Sequence, residues 1–165
     1  MMPTRRSLTQ IATILIASTA VYTPAIGQNR LQKQLLPFPD DLAQTSRLAN
    51  ATGQPLVLMV SLPGCPWCEL LRRNYFVPMQ SEGLKAYEFM INERSRKLVD
   101  FKGQSTTPAA LSATLKVTNT PTVLFFNAQG EEIAPRIEGV ASADFVGAVI
   151  NERLATARER IKTER

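Results

Sequence analysis

Cys65 and Cys68 are the only cysteines of a chain that has no histidine, and they stand at i and i+3 in SLPGCPWCELL. That spacing puts two thiols on neighbouring positions of a helical turn, close enough to bridge. Three chemistries use such a pair: a reversible disulfide, a two-thiolate site for a soft ion, or a static staple. A staple closing so short a loop removes little chain entropy. Zinc needs about four protein ligands, so this chain cannot close a zinc site alone. Copper(I) carried between two thiolates stays open as a binding-module reading. If Cys65 begins a helix, unsatisfied N–H groups and the helix dipole stabilise its thiolate and bring its pKa below about 8.5. Pro66 suits the first helical turn, where its missing N–H is not needed. Cys68 lies one turn in and is the more buried. This asymmetry divides the work: Cys65 attacks a substrate disulfide, and Cys68 then attacks Cys65 to release the product. Trp67, between them, either shapes a docking surface or covers the helix end.

Such a pair needs a strand behind it and a helix ahead. PLVLMVS is a continuous apolar run bounded by turn residues, the pattern of a strand buried on both faces of a mixed or parallel sheet. ELLRRNYFVPM has helical character, with Leu70, Leu71, Tyr75 and Phe76 available for burial and a kink or stop near Pro78. Upstream, PFPDDLAQTSRLANATGQP predicts a helix capped by Asp40 or Asp41, with Leu42, Ala43, Leu48 and Ala49 on its apolar face and Gly53 at its end. AYEFMIN predicts a second central strand. Leu98, Val99 and Phe101 make a short extra strand or pad a loop. TPAALSATLKV predicts a helix with Thr107 as N-cap, Pro108 in the first position, and Leu111 and Leu115 on one face. TPTVLFFNAQGEEIAPRIEGV predicts two strands joined by a turn at residues 127–130. Ser142 caps a last helix in which Phe145, Val149, Ile150 and Leu154 recur at helical spacing. The order implies an α/β fold with a central mixed sheet of four to five strands and helices on both faces. Cys65 then falls at the carboxyl end of a strand, where such folds place their chemistry.

At 165 residues, 44% hydrophobic and 20% charged, the chain suits one domain with a real core. The net charge of +5 invites a nucleic-acid reading. Lys and Arg are interspersed with Asp and Glu, however, and the one dense run, ARERIKTER, reads as a solvated helix face, so no nucleic-acid partner is expected. The N-terminus has a basic start ending in Arg5 and Arg6, an uncharged apolar stretch from Leu8 to Val21, and Pro24 ahead of Ala25 and Gly27. That order is a secretory signal peptide over residues 1–27, cleaved before Gln28. The stretch is diluted by Thr9, Gln10, Thr13, Ser18 and Thr19, and falls short of the ~20 strongly apolar residues a membrane span needs. TRRSL partly resembles a twin-arginine signal, but Thr9 and Gln10 stand where a further apolar and a basic residue belong, which favours Sec export. The mature chain, with a lead segment over 28–38 and a domain over 39–160, is expected in the periplasm, where two cysteines can live as a disulfide.

Three blocks, PLVLMVSLPGCPWCELL, VTNTPTVLFFNAQGEEIAPRIEGV and ASADFVGAVINERL, resemble the thioredoxin-like superfamily. With the preceding helix they cover most of residues 39–154. The resemblance implies the thioredoxin fold and assigns the nucleophile to Cys65 and the resolving thiol to Cys68. In that family the proline matching Pro121 is cis and packs against the active-site disulfide, leaving the backbone of the preceding residue, here Thr120, free to pair with an extended substrate. Gly64, Pro66 and Trp67 complete the implied substrate-binding rim. Gly130 and Gly139 match the hairpin turn and the glycine after the last strand. Two departures stand out. Met59 replaces a buried aspartate that assists proton transfer at the resolving thiol, a part that Glu69 or a water could take. Gly64 replaces a tryptophan before the nucleophile, which opens the rim. VDFKGQSTTPAAL is an insertion, similar to exported thioredoxin-like proteins found beside sulfur-oxidation systems, whose work is keeping periplasmic partner cysteines reduced. The implied activity is that of a periplasmic thiol:disulfide oxidoreductase, monomeric and without a bound cofactor or metal. It exchanges disulfides with partner proteins as a reductant and draws electrons from a membrane thiol-relay protein. A thiol oxidase or isomerase of secreted proteins is the second enzymatic reading, and the lack of an evident dimerisation segment disfavours the isomerase.

Overall fold

The computed structural model describes residues 36–164, so the expected signal peptide and nearly all of the lead segment lie outside the described residues. β1 (Leu56–Ser61) is buried at every position. Its side chains part by alternation: Val57 and Met59 enter one apolar cluster, and Leu56, Leu58 and Val60 the other. A strand covered on both faces needs no polar alternation, which is why LVLMVS shows none. β2 (Lys85–Met90) pairs parallel with β1, Met59 opposite Glu88 and Ser61 opposite Met90. β5 (Thr122–Phe126) pairs antiparallel on the other side of β1, Val60 opposite Thr122, and β6 (Ile137–Glu138) pairs antiparallel with β5. The order β2-β1-β5-β6 makes AYEFMIN an edge strand rather than a central one. Its outer side is partly covered, since the Glu88 N–H donates to the Pro37 carbonyl at 2.9 Å. The stretch 93–106 carries a separate small hairpin of β3 (Leu98–Val99) and β4 (Ser105–Thr106), with Phe101 packed on Phe126 at 4.6 Å between ring centres.

Helices cover both faces. On one lie α1 (Leu42–Ala51) and α4 (Pro108–Thr114), burying Leu42, Ala49 and Leu111 against Leu58, Leu124 and Phe126. On the other lie α2 (Pro66–Leu71), a π-helical turn (Arg72–Phe76), α3 (Val77–Ser81) and α5 (Val146–Thr163). Asp41 is the N-cap of α1, accepting the Gln44 N–H at 2.7 Å, and Thr107 caps α4.

Three expectations about helix faces are corrected. Leu48 is 60% exposed, because the buried stripe of α1 runs through Leu42, Ser46 and Ala49, a spacing that leaves position 48 outside. Phe145 is 70% exposed and precedes α5, whose core stripe is Val146, Ile150, Leu154, Ala157 and Ile161. Ser142 is not its N-cap; the Ser142 hydroxyl accepts the Asp144 N–H at 3.3 Å and its carbonyl accepts the Val146 N–H at 3.1 Å, forming a turn ahead of the helix. Burial of Leu36 and Ile161 makes the packed region wider than residues 39–160 at both ends. Pro78 does not stop its helix. The π-helical turn precedes it, Val77 N–H reaching back to the Arg72 carbonyl, and the helix continues to Ser81. A widened turn accommodates a residue that has no N–H to return. The second strand of the C-terminal hairpin is short, touching β5 at a bridge between Phe126 and Glu132 and again at β6, with Pro135 between the two contacts.

Candidate functional site

β1 ends at Ser61, and a turn through Leu62, Pro63 and Gly64 delivers Cys65 to the start of α2, with the Cys65 N–H donating to the Leu62 carbonyl at 3.2 Å. Gly64 has φ +77°, a left-handed conformation that favours glycine, so the backbone itself accounts for the missing tryptophan. Cys65 is the N-cap of α2 and its Sγ accepts the Cys68 N–H at 3.1 Å. The two cysteines form a disulfide, with Cα atoms 5.3 Å apart. Cys65 is half-buried and Cys68 fully buried, while Pro66 and Trp67 are exposed. An N–H aimed at Cys65 Sγ from a helix start is an arrangement that stabilises a thiolate when the pair is reduced.

Thr120–Pro121 is a cis peptide bond. The pair leads into β5, whose first residue pairs with Val60 near the end of β1, so it emerges at the same end of the sheet as the cysteine turn. Pro121 is buried and its carbonyl accepts the Gly139 N–H at 2.7 Å; Thr120 is half-buried. A cavity of about 290 Å³ lies beside Cys65, lined among others by Gly64, Cys65, Pro66, Glu69, Arg72 and Met90. Of the expected site residues, Gly64, Cys65 and Pro66 line that cavity, and Trp67, Thr120 and Pro121 do not.

Arg72, Glu88 and Ser61 were not singled out by sequence reasoning, yet they form a buried polar network under α2. The Arg72 and Glu88 side chains are only 3% and 2% exposed. Arg72 Nε donates to Glu88 Oε2 at 2.8 Å, and Nη2 donates to Glu88 Oε1, which also accepts the Ser61 hydroxyl. Arg72 Nη1 donates to Glu69 Oε2. Hydrogen bonding to Glu88 raises the Arg72 pKa above its ordinary value; burial opposes this, and the charges of Glu88 and Glu69 add to the rise. A signal was present: Glu88 is a lone charge inside an apolar strand, and Arg72 lies at i+4 from Cys68. Among the described residues no cluster of three or more His, Cys, Asp or Glu side chains is placed to hold a metal ion. No described helix is long and apolar enough to cross a membrane.

A mixed sheet between helices, carrying a disulfide at a helix start beyond a central strand, defines a thioredoxin-type architecture. The chain belongs to the thioredoxin-like domain family, whose model matches residues 42–153. It is 31% identical over 139 residues to the thiol:disulfide interchange protein DsbD of Yersinia enterocolitica, a match covering 81% of this chain and 23% of that protein. The chain thus spans about a quarter of the curated relative. Among solved structures it is similar to oxidised thioredoxin O1 from Arabidopsis thaliana, with a TM-score of 0.49 and 14% identity over 73% of this chain and 99% of that one. It is also similar to the reduced periplasmic thioredoxin SoxS from Paracoccus pantotrophus, with a TM-score of 0.39 and 19% identity over 63% and 99% of the two chains.

Proposed function

We propose that this chain is a protein thiol:disulfide oxidoreductase working as a periplasmic reductant, with Cys65 as nucleophile and Cys68 as resolving thiol. The observation that carries the reading is the asymmetry of the pair: Cys65 is at the helix start with an N–H on its sulfur, and Cys68 is sealed one turn behind. Reduced Cys65 attacks a partner's disulfide, forming a mixed disulfide; Cys68 attacks Cys65 Sγ, and the partner leaves reduced. The exposed Trp67 and Pro66, with Gly64, frame Cys65 on its open side, and Thr120 with Pro121 aligns the partner's extended chain. The two electrons reside in the cysteine pair, so no bound cofactor is needed. Similarity to a thiol:disulfide interchange protein supports disulfide exchange, and a membrane thiol-relay protein is the electron source in this proposal. The signal-like N-terminal sequence supports export.

Two measurements test this. Cys68→Ser is expected to accumulate a mixed disulfide with a disulfide-bearing protein such as insulin, and Cys65→Ser is not; no trapped species with Cys68→Ser would overturn the assignment. Equilibration in thiol buffers gives the direction. A potential near thioredoxin's −270 mV supports the reductant, and one near −120 to −180 mV makes the chain an oxidant or isomerase.

A further inference from the structure

In the thiol exchange proposed for this chain, on which the present inference rests, attack by Cys65 does not by itself select a partner. Selection falls to the surface that a partner meets beside that sulfur. The turn and helix that carry the cysteines, residues 62–71, contain one charged residue, Glu69, and the loop through the cis-proline, residues 117–121, contains none. The rest of the rim around Cys65 is apolar and open: Leu62 is 38% and Trp67 42% exposed, and Pro63 and Pro66 are exposed with them.

Glu69 stands at i+4 from Cys65, on the same helix face, and both line the cavity of about 290 Å³. Leu62, Pro63, Pro66 and Met90 give that cavity apolar walls, and Arg72 is its only other charged residue; the exposed Arg73 is not part of the lining. Arg72 does not cancel the carboxylate. Its one positive charge is divided between two partners, Nη1 donating to Glu69 and Nε with Nη2 to Glu88. One cation against two carboxylates leaves a surplus negative charge. Glu88 is sealed, with its side chain 2% exposed, whereas that of Glu69 is 33% exposed, so the surplus is offered to the cavity mouth at Glu69. Arg72 occupies Glu69 Oε2, and among the described residues nothing donates to Oε1.

We propose that Glu69 selects partner disulfides flanked by lysine or arginine, whose side chain enters the cavity beside Cys65 and sets its cationic head on the free Glu69 oxygen. The cavity suits both parts of such a side chain. The methylene stem packs along Leu62, Pro66 and Met90, and the head meets a carboxylate, the division that long cationic side chains make on apolar surfaces. A partner with Asp or Glu in the same place brings a second negative charge against the surplus one, so the site discriminates by repulsion as well as by attraction. Glu69 is thus a specificity-determining residue. The exchange itself keeps its steps: Cys65 attacks, Cys68 resolves, and the partner leaves reduced while the cysteine pair is oxidised. Arg72, anchored by Glu88, positions Glu69 at the mouth.

The test mixes the reduced chain with disulfide-linked peptides that are identical except for Lys, Gln or Glu at the positions flanking the cysteine. Acid quenching and chromatography give the second-order rate constant for oxidation of the chain by each. Flanking charge also alters a peptide's own reactivity, so each Lys-to-Glu ratio is divided by the ratio for dithiothreitol attacking the same peptides. At low salt the corrected ratio for wild type is expected to be about 3- to 10-fold in favour of Lys, with Gln between, the scale of one partly exposed pair gained and one repulsion removed. It should shrink toward one in about 0.5 M salt, where such charges are screened. Glu69→Gln keeps the size of the side chain and an oxygen for Arg72, and should bring the corrected ratio below about twofold. Each ratio is taken within one protein, so a general change in Cys65 reactivity cancels. A wild-type ratio near one, or a preference that Glu69→Gln leaves intact, overturns the proposal. Wild-type protein that none of the peptides oxidises overturns the thiol-exchange reading instead.

Discussion

Removing Arg72 while leaving Glu88 strands a carboxylate whose side chain is 2% exposed. Breaking a buried pair in this way costs about 3–5 kcal/mol, because the remaining charge is left without its partner. Two features place Arg72→Met toward the lower figure: the Ser61 hydroxyl still bonds one Glu88 oxygen, and Glu69 can turn to water. Against a total stability of about 5–15 kcal/mol, a loss of ~3 kcal/mol is a large fraction. It should lower Tm by roughly 10 °C in a domain of this size. Replacing both partners, Arg72→Met with Glu88→Leu, removes the charge together with its counter-charge and is expected to land within about 1 kcal/mol of wild type. Urea unfolding of the oxidised proteins at neutral pH measures both losses. A single variant that loses less than about 1 kcal/mol, or a double variant as weak as the single, refutes the claim that this pair is a desolvated anchor.

Leu154→Ala should cost about 2–5 kcal/mol, since that side chain is 2% exposed in the core, whereas Leu48→Ala should stay within about 0.5 kcal/mol; chemical denaturation of the pair checks the burial pattern. Gly130→Ala should cost more than Gly139→Ala. Both residues have positive φ, worth about 1–2 kcal/mol for an added Cβ, but only at Gly130 would that Cβ meet a neighbour, falling 2.7 Å from Phe101 Cδ1. Equal losses in the two variants would show that Phe101 yields freely.

The elements carrying the cysteines were legible because their signals are local. A run such as LVLMVS reads as a strand buried on both faces, and Asp41 and Thr107 mark helix starts by their own chemistry. The place of AYEFMIN was not legible. Its apolar content reads alike at the centre of a sheet or at an edge roofed by Pro37 and helices, and only the pairing distinguishes them. Leu48 and Phe145 were misplaced for a related reason: hydrophobicity at approximately helical spacing does not fix the angular position of the core stripe. The polar network escaped because its members come from β1, β2 and the helix after Cys68, with 16 residues separating Arg72 from Glu88. Pair chemistry of that kind is decided by parallel strand register, which no short window of sequence contains.

The π-helical turn links the helix breaker to the polar network. Cys68, Arg72 and Phe76 are all buried and recur every four residues. In a regular helix at 3.6 residues per turn, each such step drifts about 40° around the axis, so Phe76 would sit about 80° from Cys68. A wider turn over Arg72–Phe76 takes up that drift and keeps all three side chains toward the sheet. Pro78 gives a local reason for the widening, having no N–H to offer the preceding turn. The feature that reads in sequence as a helix breaker thereby helps to bring a cation beneath the active-site helix. There Arg72 can hold Glu69 beside Cys65 with one arm and Glu88 with the others. Relieving the proline should therefore disturb the network before it disturbs the helix, since α2 starts independently from its Cys65 cap.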